Sequence, residues 1–231
     1  MNQGIRAIRE FSQNNPDETR SMILFGEGYT QDQIDAVKAS VEKFGGNLVL
    51  VNNVDEMFDY INKSDRAQDK ISNLEIYSHG HPDIIEFGYR MKNAASLSIG
   101  VDNVSRFNSN SFNLGATITS YACRTALGNN SSVVTFSRDC DQSLAQKIAN
   151  AAKVDVFGFA SRTSYAGTLG STLDRHPWTA AFMPLGVLPV PIPETKLISG
   201  AAFTPNGANR GVCAGDFPLG GGVFIQHLTP Q

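Results

Sequence analysis

The sequence lacks several things, and each absence removes a class of protein. Its 231 residues contain three cysteines, Cys123, Cys140 and Cys213. An odd, widely spaced set is poor material for a disulfide framework, so free thiols in a reducing compartment are expected. No apolar run approaches the roughly 20 residues that a membrane span needs. The opening stretch MNQGIRAIREFSQNNPDETR has no apolar segment of the Sec type, so no signal peptide is expected. The expected location is therefore the cytoplasm, or a destination reached by a route that reads no such signal. There is no excess of basic residues: the net charge is −3 and the isoelectric point about 5.8, which argues against a nucleic-acid partner. Charged residues make up 18%, below the usual quarter, and hydrophobic residues 41%. That balance excludes a disordered chain or a coiled coil and leaves enough apolar material for a core. Histidine is scarce too, at four, and two of the four fall within LEIYSHGHPD, at His79 and His81.

What is present is alternation. Residues 1–20 are polar and are expected to form an arm or a short helix. SMILFGEG (21–28) reads as a buried strand. Thr30 opens a helix with a capping box, Thr30-x-x-Gln33, whose Ile34, Val37, Val41 and Phe44 share one face and which stops at Gly45-Gly46. NLVLVNN (47–53) is a second strand, and Asp55 is expected to cap a short helix carrying Met57, Phe58 and Ile61. ISNLEIYSHG (71–80) is a third strand. IIEFGYR and SLSIGV, within 84–101, read as a small hairpin or as edge strands, and a short helix is expected near Asn103–Phe107. ATITSYAC (116–123) is a fourth strand. Asp141 is expected to cap a helix with Leu144, Ile148 and Ala152 inward, and VDVFGFAS (154–161) is a fifth strand.

Apolar strands that alternate with helices predict an α/β domain with a central, mostly parallel sheet of about five or six strands and helices on both faces. The domain is expected over 21–231, behind an arm at 1–20. The stretch 162–222 differs: it holds seven of the ten prolines and ten of the 21 glycines. It reads as long surface loops draped over one end of the sheet, of a length that is usually functional, with GGVFIQHL (221–228) returning as a last strand.

In open α/β sheets the reactive crevice lies beyond the carboxyl ends of the strands. The third strand ends in Ser78-His79-Gly80-His81 and the fourth in Tyr121-Ala122-Cys123-Arg124. If these strands are neighbours, an imidazole and a thiol face each other across roughly 5–6 Å, because paired strands lie about 4.8 Å apart. A nearby imidazole lowers a thiol pKa or takes its proton, and the thiolate is the nucleophile. The plainer reading is a buried structural cysteine and a turn histidine.

An apolar strand ending in His-Gly, followed about 45 residues later by one ending in Ala-Cys, resembles the layout of the clan CD cysteine peptidases. These include caspases, gingipains, legumain, separase and the self-cleaving domains of bacterial toxins. The caspase form is Gln-Ala-Cys-(Arg/Gln/Gly)-Gly with its histidine about 50 residues upstream. Here the stretch is Tyr121-Ala122-Cys123-Arg124-Thr125, with His79 44 residues upstream. Tyr121 replaces the Gln and Thr125 the Gly, so the chain departs from a caspase proper. DQSLAQKIANAAKVDVFGFAS looks like the helix and strand that follow the cysteine in the bacterial members. The resemblance covers roughly 21–161.

The resemblance implies a three-layer caspase-like fold and a cysteine endopeptidase acting on protein or peptide substrates without a cofactor or metal, in the setting of a bacterial toxin or effector. It implies Cys123 as nucleophile, His79 as general acid and base, and the N–H groups of Gly80 and Cys123 as an oxyanion hole. It places Glu27, Tyr121 and Arg162 at the substrate pocket, where Glu27 would suit a basic P1 residue and Arg162 an acidic one. Two other readings remain. His79-x-His81-x-Asp83 resembles the metal-binding motif of the metallo-β-lactamase superfamily, though Ile84 stands where a further histidine is normal. The third reading is a non-catalytic α/β binding module. Cys140 precedes a helix beside Asp139 but has no evident histidine partner, and Cys213 has no assigned role.

Overall fold

A computed structural model describes residues 1–63, 68–88, 91–128, 142–159 and 201–203. They fall into two compact units, the first ending at Asn52 and the second beginning at Asn53.

In the first unit the N-terminal stretch is not a bare arm but a 13-residue helix, α1 (Asn2–Asn14). Its Ile5 and Ile8 join a core with Met22 and Leu24 of β1 (Arg20–Phe25) and with Ile34, Val37, Val41 and Phe44 along α2 (Gln31–Lys43). The capping box forms as the sequence predicts. The Thr30 hydroxyl accepts from the Gln33 N–H, and the Gln33 side chain accepts from the Thr30 N–H at 3.0 Å. Gly45 ends the helix at φ +68°, a conformation that costs glycine little. α2 carries the chain to β2 (Gly46–Val51), which pairs in parallel with β1 from Arg20↔Gly46 to Phe25↔Val51. This is a βαβ unit.

The second unit begins with α3 (Val54–Ile61). Its cap is Asn53, whose side chain accepts from the Glu56 N–H at 2.9 Å, rather than Asp55. Asp55 instead sits within the first turn and pairs with Arg106. Met57, Phe58 and Ile61 are buried as expected, with Phe58 edge-on to Phe107 at 5.0 Å. The main sheet has the order β3 (Ile71–Ile76), β7 (Phe112–Ser120), β8 (Asp155–Gly158) and β9 (Ala201–Phe203). The first three run parallel, and β9 pairs antiparallel with β8. β9 falls inside the stretch read as loop, so that reading is corrected at 201–203. The strand expected at 221–228 lies outside the described residues.

Between β3 and β7 the chain makes a separate antiparallel sheet of β4 (His79–His81), β5 (Ile84–Glu86) and β6 (Ser98–Gly100). The hairpin reading of this region is thus the one that forms. The helix expected near Asn103 is a short 3-10 turn, Val104–Arg106. α4 (Leu144–Ala152) is capped by Ser143, whose hydroxyl accepts from the Gln146 N–H at 3.2 Å; Asp141 lies outside the described residues. Leu144, Ile148 and Ala152 are fully buried, as are Ile118 and Val156 on the sheet. The molecule is a mixed α/β protein with parallel sheets. Its described strands form three hydrogen-bonded sheets rather than one of five or six.

Candidate active site

Neither motif is on the strand that precedes it. β3 ends at Ile76 and β7 at Ser120, each three residues short of the residue of interest. What brings the motifs together is register. Parallel pairing holds one offset from Asn73↔Thr117 to Ile76↔Ser120. It persists past the ladder: the Tyr121 N–H donates to the Ile76 carbonyl at 2.9 Å, and the rings of Tyr77 and Tyr121 stack at 4.6 Å, 3° from parallel. Beyond that stack, the Gly80 backbone lies against Ala122 and Cys123.

The contact at that point is backbone on backbone. A methyl group added to Gly80 would lie 2.6 Å from the Cys123 carbonyl oxygen, 2.8 Å from the Ala122 Cβ and 3.0 Å from the Cys123 nitrogen. No side chain fits there. Glycine at 80 is thus required by space, and the chain after β3 rests on the turn after β7.

That turn is held from several sides. Arg124 sits at φ 60°, a left-handed conformation that is uncommon for a residue with a side chain. The fully buried Thr125 hydroxyl lies 3.3 Å from the Ser120 hydroxyl and 3.4 Å from the Ala122 carbonyl. The Ala126 N–H donates to the Phe159 carbonyl at 3.0 Å, and the Ala145 N–H of α4 to the Thr125 carbonyl at 2.9 Å. Cys123 is therefore a half-buried thiol, in no disulfide, on a turn tied to α4 and to the residue that follows β8. A reactive group gains from such a mount, because its position is set by neighbours rather than by its own loop.

His79 and His81 occupy alternate positions of β4 and are both exposed, while Gly80 between them is buried against the turn. The His81 Nε2 lies 3.6 Å from the Glu86 Oε2 across the hairpin. Among the described residues no three His, Cys, Asp or Glu side chains gather as a metal-ligand set, so His79, His81 and Asp83 do not converge. The sequence spacing was close, but the tight turn at Pro82-Asp83 separates the carboxylate from the strand that carries both histidines.

Of the remaining candidates, Tyr121 stands between Tyr77 and Phe159, whose ring centroid is 6.0 Å away. Glu27 belongs to the first unit, two residues past β1, and is exposed. Arg162, Asp139, Cys140 and Cys213 lie outside the described residues. Sequence reasoning missed Tyr77, Thr125 and Glu86. The signal for Glu86 was partial: a two-residue Pro82-Asp83 turn between HGH and IIE sets a hairpin register that puts residue 86 opposite 79.

No protein-family model matches the chain, and no curated protein or solved structure matches it either. Among the described residues no helix is long and apolar enough to cross a membrane.

Proposed function

We propose that the chain is a cysteine endopeptidase of the caspase-like, three-layer kind, hydrolysing peptide bonds of protein substrates through Cys123 and His79. The observation that carries this reading is the close approach of Gly80 to the Cys123 backbone, which leaves His79 one residue from the nucleophile turn. The Cys123 thiolate attacks the scissile carbonyl carbon, and the proton held by the His79 imidazole passes to the leaving amine as the C–N bond breaks. Water, deprotonated by the same imidazole, then hydrolyses the thioester. The N–H groups of Gly80 and Cys123 stabilise the oxyanion, each such donor being worth about 2.7–4 kcal/mol of barrier. Tyr121 forms a wall of the substrate pocket. A toxin or effector role is the setting that suits the sequence resemblance.

The test is selective labelling followed by substrate profiling. Iodoacetamide should label Cys123 ahead of Cys140 and Cys213, with a pH dependence that moves in His79→Ala. A peptide library should be cleaved by the parent protein, and cleavage should be lost in Cys123→Ala, by at least about a thousandfold for a nucleophile. Cleavage that survives Cys123→Ala and disappears with a chelator would refute the peptidase reading.

A further inference from the structure

The turn that carries Cys123 is built over a buried hydroxyl. Thr125 is fully buried, as are Ser120 at the end of β7 and Ala122 beside the nucleophile. The Thr125 Oγ1 lies 3.4 Å from the Ala122 carbonyl oxygen and 3.3 Å from the Ser120 Oγ. Both distances exceed the usual range of about 2.5–3.0 Å for an O–H···O bond, as befits one proton shared between two acceptors. The Ser120 hydroxyl has a proton of its own and can donate in return, which leaves the Thr125 proton to the carbonyl.

The hydroxyl has little room to turn elsewhere. A methyl group added to Gly158 of β8 would lie 3.1 Å from the Thr125 Oγ1 and 3.1 Å from the Ala145 Cβ, so strand and helix close on the side chain. The Thr125 backbone is held as well, its carbonyl accepting from the Ala145 N–H at 2.9 Å. The Ala122 carbonyl belongs to the same peptide group as the Cys123 N–H. That peptide is trans and planar, so the two bonds point in opposite directions. A carbonyl drawn inward to Thr125 therefore turns the Cys123 N–H away from the core. The Cys123 nitrogen is also among the atoms nearest Gly80, so the two N–H groups assigned to the oxyanion are neighbours.

We infer that Thr125 is a positioning residue for the oxyanion hole: its hydroxyl holds the Ala122 carbonyl inward and so aims the Cys123 N–H at the developing oxyanion. This inference rests on the peptidase reading and goes beyond it by assigning the group that sets the direction of one donor. Thr125 acts through the Ala122–Cys123 peptide and not on the substrate. A hydrogen bond to that carbonyl also polarises the peptide and strengthens its N–H as a donor. The effect is confined to steps that build negative charge on the substrate oxygen, because the donor must already point where that charge appears. Thiolate attack on a peptide carbonyl builds such charge. Alkylation by iodoacetamide does not: a C–S bond forms at a saturated carbon as the C–I bond breaks and iodide leaves.

The test uses the full chain with two probes, the library peptide that it cleaves fastest and iodoacetamide. Thr125→Val keeps the shape and removes the hydroxyl. It is expected to lower kcat by about ten- to a hundredfold at nearly unchanged KM, while the rate of Cys123 labelling stays within about twofold of the parent. Thr125→Ser keeps the hydroxyl and should recover most of kcat. Ser120→Ala should stay near the parent in both readouts, because the Ala122 carbonyl remains as acceptor. If Thr125→Val slows labelling as much as cleavage, the residue only supports the turn and the positioning role is wrong. The role is equally wrong if Thr125→Ser is as slow as Thr125→Val, or if Ser120→Ala loses as much. A parent-like kcat in Thr125→Val also overturns it, and the dyad then stands as long as Cys123→Ala abolishes cleavage. If Cys123→Ala cleaves like the parent, the peptidase reading falls and this role falls with it. Should Thr125→Val not fold, Thr125→Ala is read by the same comparison, and equal loss of cleavage and labelling overturns the role.

Discussion

At the scale of single residues, Gly80 is the position where packing and chemistry meet. Its missing side chain is not a matter of backbone angle, since no positive φ is involved; it is a matter of the Cys123 backbone standing where a methyl would go. Rigid backbone on one side leaves no flexible atom to move aside, so an added methyl must push the β4–β5 hairpin off the turn. Gly80→Ala is therefore expected to cost about 1–3 kcal/mol of stability, the usual range for overpacking. A urea titration would read this as a lower midpoint at unchanged slope. The same variant should lose the selectivity of Cys123 labelling. Gly26→Ala is the control: its added methyl meets nothing within 4 Å, and its midpoint should stay within about 0.5 kcal/mol of the parent. Equal effects at the two glycines would mean that the 80–123 contact contributes nothing. The sequence marked His79, Gly80 and Cys123 because a histidine-glycine and a cysteine after apolar runs are chemically unusual. It did not mark Thr125, because a buried hydroxyl that ties a turn to Ser120 looks in sequence like any polar loop residue.

At the scale of elements, α4 shows which local rules the sequence displays well and which it hides. Its inward face was readable from Leu144, Ile148 and Ala152, which recur at helical spacing and are fully buried. Its boundaries were less so. Asp141 and Ser143 both suit a cap, and the hydroxyl that reaches the third helical N–H is that of Ser143. The same competition displaced Asp55 in favour of Asn53 at α3. At the far end, Lys153 closes α4 at φ 59°, a left-handed cap that a residue with a Cβ occupies at a cost of roughly 1–2 kcal/mol. Glycine meets no such cost, though it gives up about 0.5–1 kcal/mol through its freer unfolded chain. Lys153→Gly is thus expected to raise stability by up to about 1 kcal/mol, and Ser143→Ala to lower it by about 1 kcal/mol. Thermal unfolding of the two variants beside the parent checks both signs. A loss of stability in Lys153→Gly would show that the lysine side chain contributes more than its backbone strain costs. Because the Ala145 N–H donates to the Thr125 carbonyl, Ser143→Ala should also speed hydrogen exchange at Ala145.

At the scale of the whole molecule, the strands were legible but their partners were not. Apolar runs at 21–25, 47–51, 71–76, 116–120 and 155–158 all became strands, because a run of that length and composition has few alternatives between helices. Which strand lies beside which is decided by packing between residues far apart in sequence, as in the pairing of Ile76 with Ser120. No local pattern encodes that choice, so one sheet was expected where the described strands make three. Ile8, Met22, Leu24, Val37 and Val41 pack together in the first unit, and Phe58, Ile118, Ile148 and Val156 are among the buried residues of the second. His79, Gly80, Glu86 and Cys123 all belong to the second. A cavity destabilises most the unit in which it opens, so damage should be local before it is global. Val41→Ala is expected to lower amide protection in β1 and β2 more than in β3 and β7, and to leave Cys123 labelling close to the parent. Ile118→Ala, at a fully buried position two residues before the end of β7, should cost about 2–5 kcal/mol, lower protection in β3, β7 and β8, and erase selective labelling of Cys123. Native-state hydrogen exchange by mass spectrometry reads both variants peptide by peptide. Equal loss of protection across all strands in each variant would show that the chain opens as one cooperative body, and that the candidate site depends on both cores rather than on the one that carries it.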